Sequence, residues 1–485
     1  MNHQYQLRTC YVNFAEHLQN SWNVNFMYHD ASGMWKEKEW HAFFKEIKAF
    51  GYTNFQFWIP PTLAKAGADR DRAIGQLNTM IQYCHSEGLT ANPLMAINTI
   101  GAEWYFACPN DKTDREKIIE FWTYYANHLK GADIFGIFPG DPGGCNRNGC
   151  NHNTFLELAA EITSLLKEKN PDVIIEIGTW GTPFTGWGED MRHTPNWDGT
   201  FAMLVDPAVN NPEVPCHIWN GPPERVAICM KDMLEKLNLF PKDTLFSINS
   251  GFNPDCEPID EYDARPWAKK IAKRFRITSW DYSASEGELI CYPHFRVEKF
   301  QRKRKMELEA APYYGAICYT MSPKLNLLTL YTSAQLMINP YQDATELAAE
   351  FTKLVFGDET IGKLMKAFEI VPGWGYEGTS YTKETLIFMF EELIERLKAV
   401  KGVQSKLPIF PSEEEYRSTL LWHAKNFLEM LGENPNREAI RQSYWDKALS
   451  IYDNIPQAVD ERSQLSANGY SSIGKTLSDQ RTIMI

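Results

Sequence analysis

Over the first two-thirds of this chain, short β-rich runs alternate with amphipathic helical stripes, and that alternation limits the possible folds more than any other feature. Parallel strands cannot be joined by tight turns and need a crossover, usually a helix. The first strand falls at Cys10 to Phe14 or at Val24 to Tyr28. A helix follows with Trp40, Phe43, Phe44, Ile47 and Phe50 on one face and Gly51 as its stop. The next strands are Asn54 to Ile59, Ala91 to Ile97, the apolar run from Ile134, and Val173 to Ile177. Leu245 to Ser250, Ile277 to Tyr282 and Tyr314 to Tyr319 complete the set. Between them, Ile74, Leu77, Met80, Ile81 and Cys84 stripe a helix closed by Gly88. Thr113 with Glu116, and Thr154 with Glu157, read as capping boxes. Trp267 to Phe275, the basic stretch Val297 to Ala310, and Leu325 to Ile338 are helical.

Eight strand–helix units ending near Pro340 fit a (β/α)8 TIM barrel in count and in length. A doubly wound open sheet would carry a Gly-x-Gly-x-x-Gly turn after its first strand, which this chain lacks. Beyond Asn339-Pro340 the β signal vanishes, and helical stripes run through Ala344 to Phe356, Ile361 to Ile370, Glu384 to Val400, Glu413 to Leu431 and Arg437 to Ile451. The expected organisation is a barrel over 1–340 with a long aromatic insertion at 182–220, an all-α domain over 341–455, and a polar tail over 456–485.

Barrel enzymes keep their chemistry at the C-terminal ends of the strands. Asp141 follows the fourth strand in Phe-Pro-Gly-Asp-Pro-Gly-Gly and is the leading candidate for acid/base work, with a plain turn as the alternative, since Gly-Asp-Pro-Gly-Gly is good turn chemistry. Glu176 lies in the apolar run Val-Ile-Ile-Glu-Ile-Gly-Thr-Trp. Such an acid either has a raised pKa suited to a general acid or is a structural group bonded to a neighbouring strand. Asp281, between Trp280 and Tyr282, ends the seventh strand. An aromatic–acid–aromatic triplet suits a sugar, whose apolar face stacks while its hydroxyls meet the carboxylate. His29, Trp58, Asn98, Asn249 and Tyr319 stand at other strand ends, and Trp180 lies beside the insertion. Glycoside hydrolysis needs two carboxylates, so Glu176 and Asp281 compete to partner Asp141.

Cys145, Cys150 and His152, with Cys108 as a possible fourth, raise a metal-ligand reading, but the spacing is not that of a compact zinc motif. A thiol pair or disulfide pinning the loop fits better. Gly469 to Thr476 matches the nucleotide-binding P-loop letter for letter. It lacks a strand before it, with only nine residues after it, so no nucleotide or other cofactor is expected. A net charge of −13 argues against nucleic acid or an anionic membrane as partner, and no apolar run is long enough to span a bilayer. Ten cysteines scattered between Cys10 and Cys318 are no disulfide framework. A cytoplasmic location is expected, or a periplasmic or secreted one if a signal peptide has been removed.

From Ile277 onward, Trp280-Asp281-Tyr282, Tyr292-Pro293-His294-Phe295, Gly315-Ala316-Ile317, Leu336-Met337-Ile338-Asn339-Pro340 and Glu346 to Gly357 form a recognisable series. It resembles the barrel-plus-helical-domain glycoside hydrolases of the bacterial endo-β-N-acetylglucosaminidase and α-glucuronidase type. The same families carry an Asp-Gly-Gly and cysteine-containing turn after the fourth strand, to which Asp141 to Cys150 is similar. The resemblance implies a catalytic barrel, a supporting helical domain and a carbohydrate substrate. Those relatives tend to carry a glutamate at the end of the last strand, where this chain reads Cys318-Tyr319-Thr320-Met321. A catalytically silent glycan-binding barrel and a metal-dependent barrel hydrolase are the alternatives.

Overall fold

A computed structural model describes residues 4–12, 35–59, 68–100, 105–139, 148–179, 231–249, 265–280, 293, 295–320, 323–370, 381–436, 439–440 and 443. Eight strands form a closed parallel barrel: β1 (Leu7–Val12), β2 (Asn54–Trp58), β3 (Thr90–Ala96), β4 (Ile134–Phe138), β5 (Ile174–Thr179), β6 (Leu245–Asn249), β7 (Arg276–Trp280) and β8 (Gly315–Thr320). β1 pairs with β2 on one side and β8 on the other, which closes the ring. A two-stranded antiparallel sheet, Thr99–Ile100 with Tyr105–Phe106, stands in the connection after β3.

The first strand is a correction. It runs Leu7–Val12, starting ahead of the expected Cys10, while 24–28 lies outside the described residues. Two polar residues disguise its start. Arg8 donates to the Gly51 carbonyl at 2.6 Å and the Tyr5 carbonyl at 2.9 Å, while Thr9 faces the interior and accepts from Asn54 at 3.0 Å.

Around the barrel stand α1 (Glu37–Phe50), α2 (Ala68–Ser86), α3 (Lys112–His128), α4 (His152–Lys169), α5 (Arg265–Ile271), α6 (Val297–Ala310) and α7 (Leu327–Ile338). Gly51 stops α1 with φ of 108°, a left-handed conformation that suits glycine. Two caps differ from expectation. Asp111, not Thr113, caps α3 by accepting from the Asp114 amide at 3.0 Å. Asn151 caps α4, with Thr154 inside the helix as the second half of the capping box. In each case a short acceptor immediately before the helix meets a first-turn N–H that a residue inside the turn cannot reach as well.

The C-terminal helices are α8 (Ala344–Phe356), α9 (Glu359–Leu364), α10 (Lys383–Ala399) and α11 (Glu413–Met430). They share one continuous apolar core with the barrel's outer face. α7 bridges the two, because nearly all its side chains are buried. Phe50 of α1 meets Tyr331 of α7 and Phe351 of α8 edge-on, with ring centroids 5.5 and 5.9 Å apart. Buried Glu46 of α1 accepts the Phe410 amide N–H, tying the segment before α11 to the barrel.

One ionic cluster anchors the strands that matter most below. Arg304 of α6 is 1 % exposed and reaches the Ile317 carbonyl of β8 at 2.8 Å. It also donates to Glu307 at 2.8 Å, and Glu307 accepts from the Ser279 hydroxyl of β7 and from Tyr5 at 2.8 Å. Burial pushes the Glu307 carboxyl up, but Arg304, Lys303 and the Ser279 hydrogen bond outweigh it, so the group lies below the ordinary carboxylate range. A depressed carboxylate contributes stability above its unfolded pKa and loses it as pH falls through the folded value. Glu307→Ala should strand the Arg304 charge and cost about 3–5 kcal/mol at neutral pH. Denaturant unfolding should show that deficit shrinking as the pH is lowered through the carboxylate range.

Candidate active site

Alternate residues of each strand point into the barrel, and their chemistry changes from bottom to top. Leu7, Ile134 and Leu245 form an apolar plug at the N-terminal end, joined by Ile174 and Tyr314. Above them comes a polar layer. Asn54 donates to Thr9 and accepts from Thr90 at 2.7 Å. Glu176 of β5 projects inward between Ile175 and Ile177, which point outward into the helical shell. Its Oε2 accepts from Gln56 Nε2 at 2.8 Å and Asn92 Nδ2 at 2.6 Å, and its Oε1 accepts from Thr278 Oγ1 at 3.1 Å. It is 1 % exposed. Burial raises its pKa against the opposing hydrogen bonds from Asn92, Thr278, Ser247 and Gln56.

Over this layer lies an aromatic floor made by residues at or next to the C-terminal ends of five strands. Tyr11, Trp58, Phe138, Trp280 and Tyr319 form it, packed on Leu94, Ala96 and Ile317. Tyr11 stacks on Tyr319 at 4.7 Å and 22°, and lies 5.0 Å from Trp280, which lies 4.8 Å from Phe138. Two glycines make room for it. A Cβ on Gly178 would stand 2.2 Å from the Phe138 ring, and one on Gly136 would stand 2.6 Å from Leu94 Cβ. The Trp58 indole N–H is buried without a hydrogen-bond partner, a polar atom held in an apolar wall.

The residues expected at the site are placed as follows. Trp58 and Tyr319 both belong to the floor. Asn98 is fully buried two residues past β3, where its Nδ2 donates to the Ala107 carbonyl at 2.9 Å and its backbone carbonyl accepts from the Ala107 amide at 2.9 Å. It clamps the base of the small sheet, and its Oδ1 alone is without a partner. Glu176 is a mid-strand residue beneath the floor rather than a strand-end residue. Its amide partners match the structural alternative raised by its sequence context. Asn249 ends β6, in register with Trp280. Asp141, Asp281, His29, Trp180 and Tyr282 lie outside the described residues. In sequence, Asp281 directly follows Trp280, and Asp141 follows Phe138 by three positions.

Tyr11, Phe138, Gln56, Asn92 and Thr278 were not singled out from sequence. For Gln56 and Thr278 the signal is the strand pleat, which puts them in the inward phase of Trp58 and Trp280; Tyr11, Phe138 and Asn92 have no such neighbour within their strands. Of the proposed metal ligands, Cys108 and Cys150 meet with sulfurs 3.7 Å apart. His152 packs beside Phe155, with Nδ1 4.0 Å from Asp232, and burial lowers its pKa to about 4. Cys145 lies outside the described residues, among which no three potential ligands cluster.

No protein-family model matches the chain, and no curated protein matches its sequence. Among solved structures, a family 89 glycoside hydrolase from Clostridium perfringens in complex with PUGNAc matches with a TM-score of 0.50 at 10% identity, over 91% of this chain and 53% of that one. A mutant O-GlcNAc hydrolase from Thermobaculum terrenum matches with a TM-score of 0.48 at 13% identity, over 95% and 90% of the two chains. The chain spans about half the length of the Clostridium enzyme and shares its fold. The expected likeness to barrel glycoside hydrolases is therefore present at the level of fold.

A carboxyl whose folded pKa is raised contributes stability below its unfolded pKa and loses it as pH rises through the folded value. Glu176→Gln keeps an acceptor for the two amides and has no charge to desolvate. Its stability relative to wild type should therefore improve as pH rises above the ordinary carboxylate range. Glu176→Ala orphans buried amide donors and should cost about 3 kcal/mol. Thermal melts across pH check both.

Proposed function

We propose that this chain is a glycoside hydrolase, cleaving a glycosidic bond in an oligosaccharide or glycan at the C-terminal mouth of the barrel. The observation that carries the reading is the aromatic floor, which ends strands whose next residues include Asp281 after Trp280 and Asp141 after Phe138. Aromatic faces suit the apolar faces of sugar rings, and adjacent carboxylates suit their hydroxyls and the scissile oxygen.

In this reading Asp141 protonates the leaving-group oxygen as general acid. Asp281 is the second carboxylate, acting either as nucleophile or as the base that activates water. Glu176 is the weaker partner, because the floor covers it and both its oxygens are hydrogen-bonded. Trp58, Tyr319, Trp180 and Tyr282 would shape the sugar site, with His29 and Asn249 holding hydroxyls, while buried Asn98 clamps the small sheet beside it. The fold shared with a glycoside hydrolase supports the reaction class without naming a sugar.

A screen on aryl glycosides and on plant and host glycans should find a substrate. On it, Asp141→Asn and Asp281→Asn should each lower kcat by about 100-fold or more with the fold intact. Full turnover by Asp141→Asn contradicts the assignment. The chain's Cys318-Tyr319-Thr320-Met321, where a last-strand glutamate is expected by resemblance, favours a second reading: glycan binding without turnover. Saturable binding of a glycan that stays intact would select it.

A further inference from the structure

Two cysteines that the proposed chemistry does not use meet at the edge of the barrel mouth. Cys108 lies in the connection between β3 and α3, and Cys150 lies at the end of the connection between β4 and α4. Their sulfurs are 3.7 Å apart, and the residues are 0 % and 2 % exposed. We propose that Cys108 and Cys150 are an oxidisable thiol pair that closes to a disulfide, stapling the third strand–helix connection to the fourth.

Rigid elements hold each thiol in place. The Cys108 amide donates to Asp114 of α3 at 2.9 Å, and Ala107 beside it is clamped by Asn98. Cys150 directly precedes Asn151, whose capping box starts α4. Among the described residues, a small turn reaches the pair. Asn148 and Gly149 are exposed, with left-handed φ of 51° and 71°. The Asn148 side chain donates to Cys108 Sγ at 3.4 Å, and its carbonyl accepts from Asn110 at 2.9 Å. No third ligating side chain joins the two among the described residues.

The step is thiol–disulfide exchange with a small disulfide such as oxidised glutathione. One cysteine thiolate attacks a glutathione sulfur, releasing one glutathione thiolate and forming a mixed disulfide. The second cysteine thiolate then attacks the first cysteine's sulfur and expels the second glutathione. Two thiols are oxidised, one small disulfide is reduced to two thiols, and the two cysteine protons pass to solvent or to the departing thiolates.

The full chain, purified under reductant, should be equilibrated with oxidised glutathione, alkylated, and digested without reduction. Mass spectrometry should find a Cys108–Cys150 cross-linked peptide pair, about 2 Da lighter than the two reduced peptides together. Dithiothreitol should reverse the link, and oxidation should raise the melting temperature by a few degrees. Cys150→Ser should abolish the link and the shift. The proposal is overturned if both cysteines still alkylate on unfolding after oxidation, or if Cys150 pairs instead with Cys145. It is also overturned if the untreated protein holds stoichiometric zinc that leaves when these two thiols are alkylated.

Discussion

The interior of this barrel depends on the hydrogen-bonded cradle around Glu176. A carboxyl sealed at the centre of a parallel barrel is tolerable only if neighbouring strands satisfy it. Gln56 from β2, Asn92 from β3 and Thr278 from β7 do so, reaching across the interior to one residue of β5. Strands that are not adjacent are thereby set at one height. The apolar plug below and the aromatic floor above can then each form in a single plane. Without Glu176 the amides of Gln56 and Asn92 would lose their acceptor and the layer its reason to converge.

The outside of the barrel supports the same arrangement. Arg304 and Glu307 grip β7 and β8 from behind, at Ser279 and Ile317, one and two residues short of the floor's Trp280 and Tyr319. The C-terminal helices continue the barrel's outer core rather than forming a separate one, with α7 packed against both. Support on both faces suits a site whose groups must be held within a fraction of an ångström of productive geometry.

Most of the fold was legible because apolar runs ending in glycine, proline or a polar cluster mark buried parallel strands unambiguously. β1 was not, since Arg8 and Thr9 read as loop residues until their partners Gly51 and Asn54 are seen. The caps at Asp111 and Asn151 were missed because a capping-box pattern fits the first helical turn as well as the residue before it. Trp58 and Tyr319 were readable as strand-end aromatics. Glu176 was readable only as a choice between two roles, because its depth in the barrel depends on register with strands far away in sequence. Tyr11 and Phe138 escaped notice because single aromatics at strand ends become a floor only when the barrel closes.

The account rests on a division of labour: Glu176 organises the barrel from within, and the carboxylates following the floor residues do the proposed chemistry. The most direct test is a crystal structure of Asp141→Asn bound to an intact glycan that the wild type cleaves. The account predicts a sugar ring over Trp58, Trp280 and Tyr319, with residues 141 and 281 flanking the scissile bond at about 5–10 Å from each other. A glycan bound away from that floor, or a scissile bond that neither residue approaches, would contradict it.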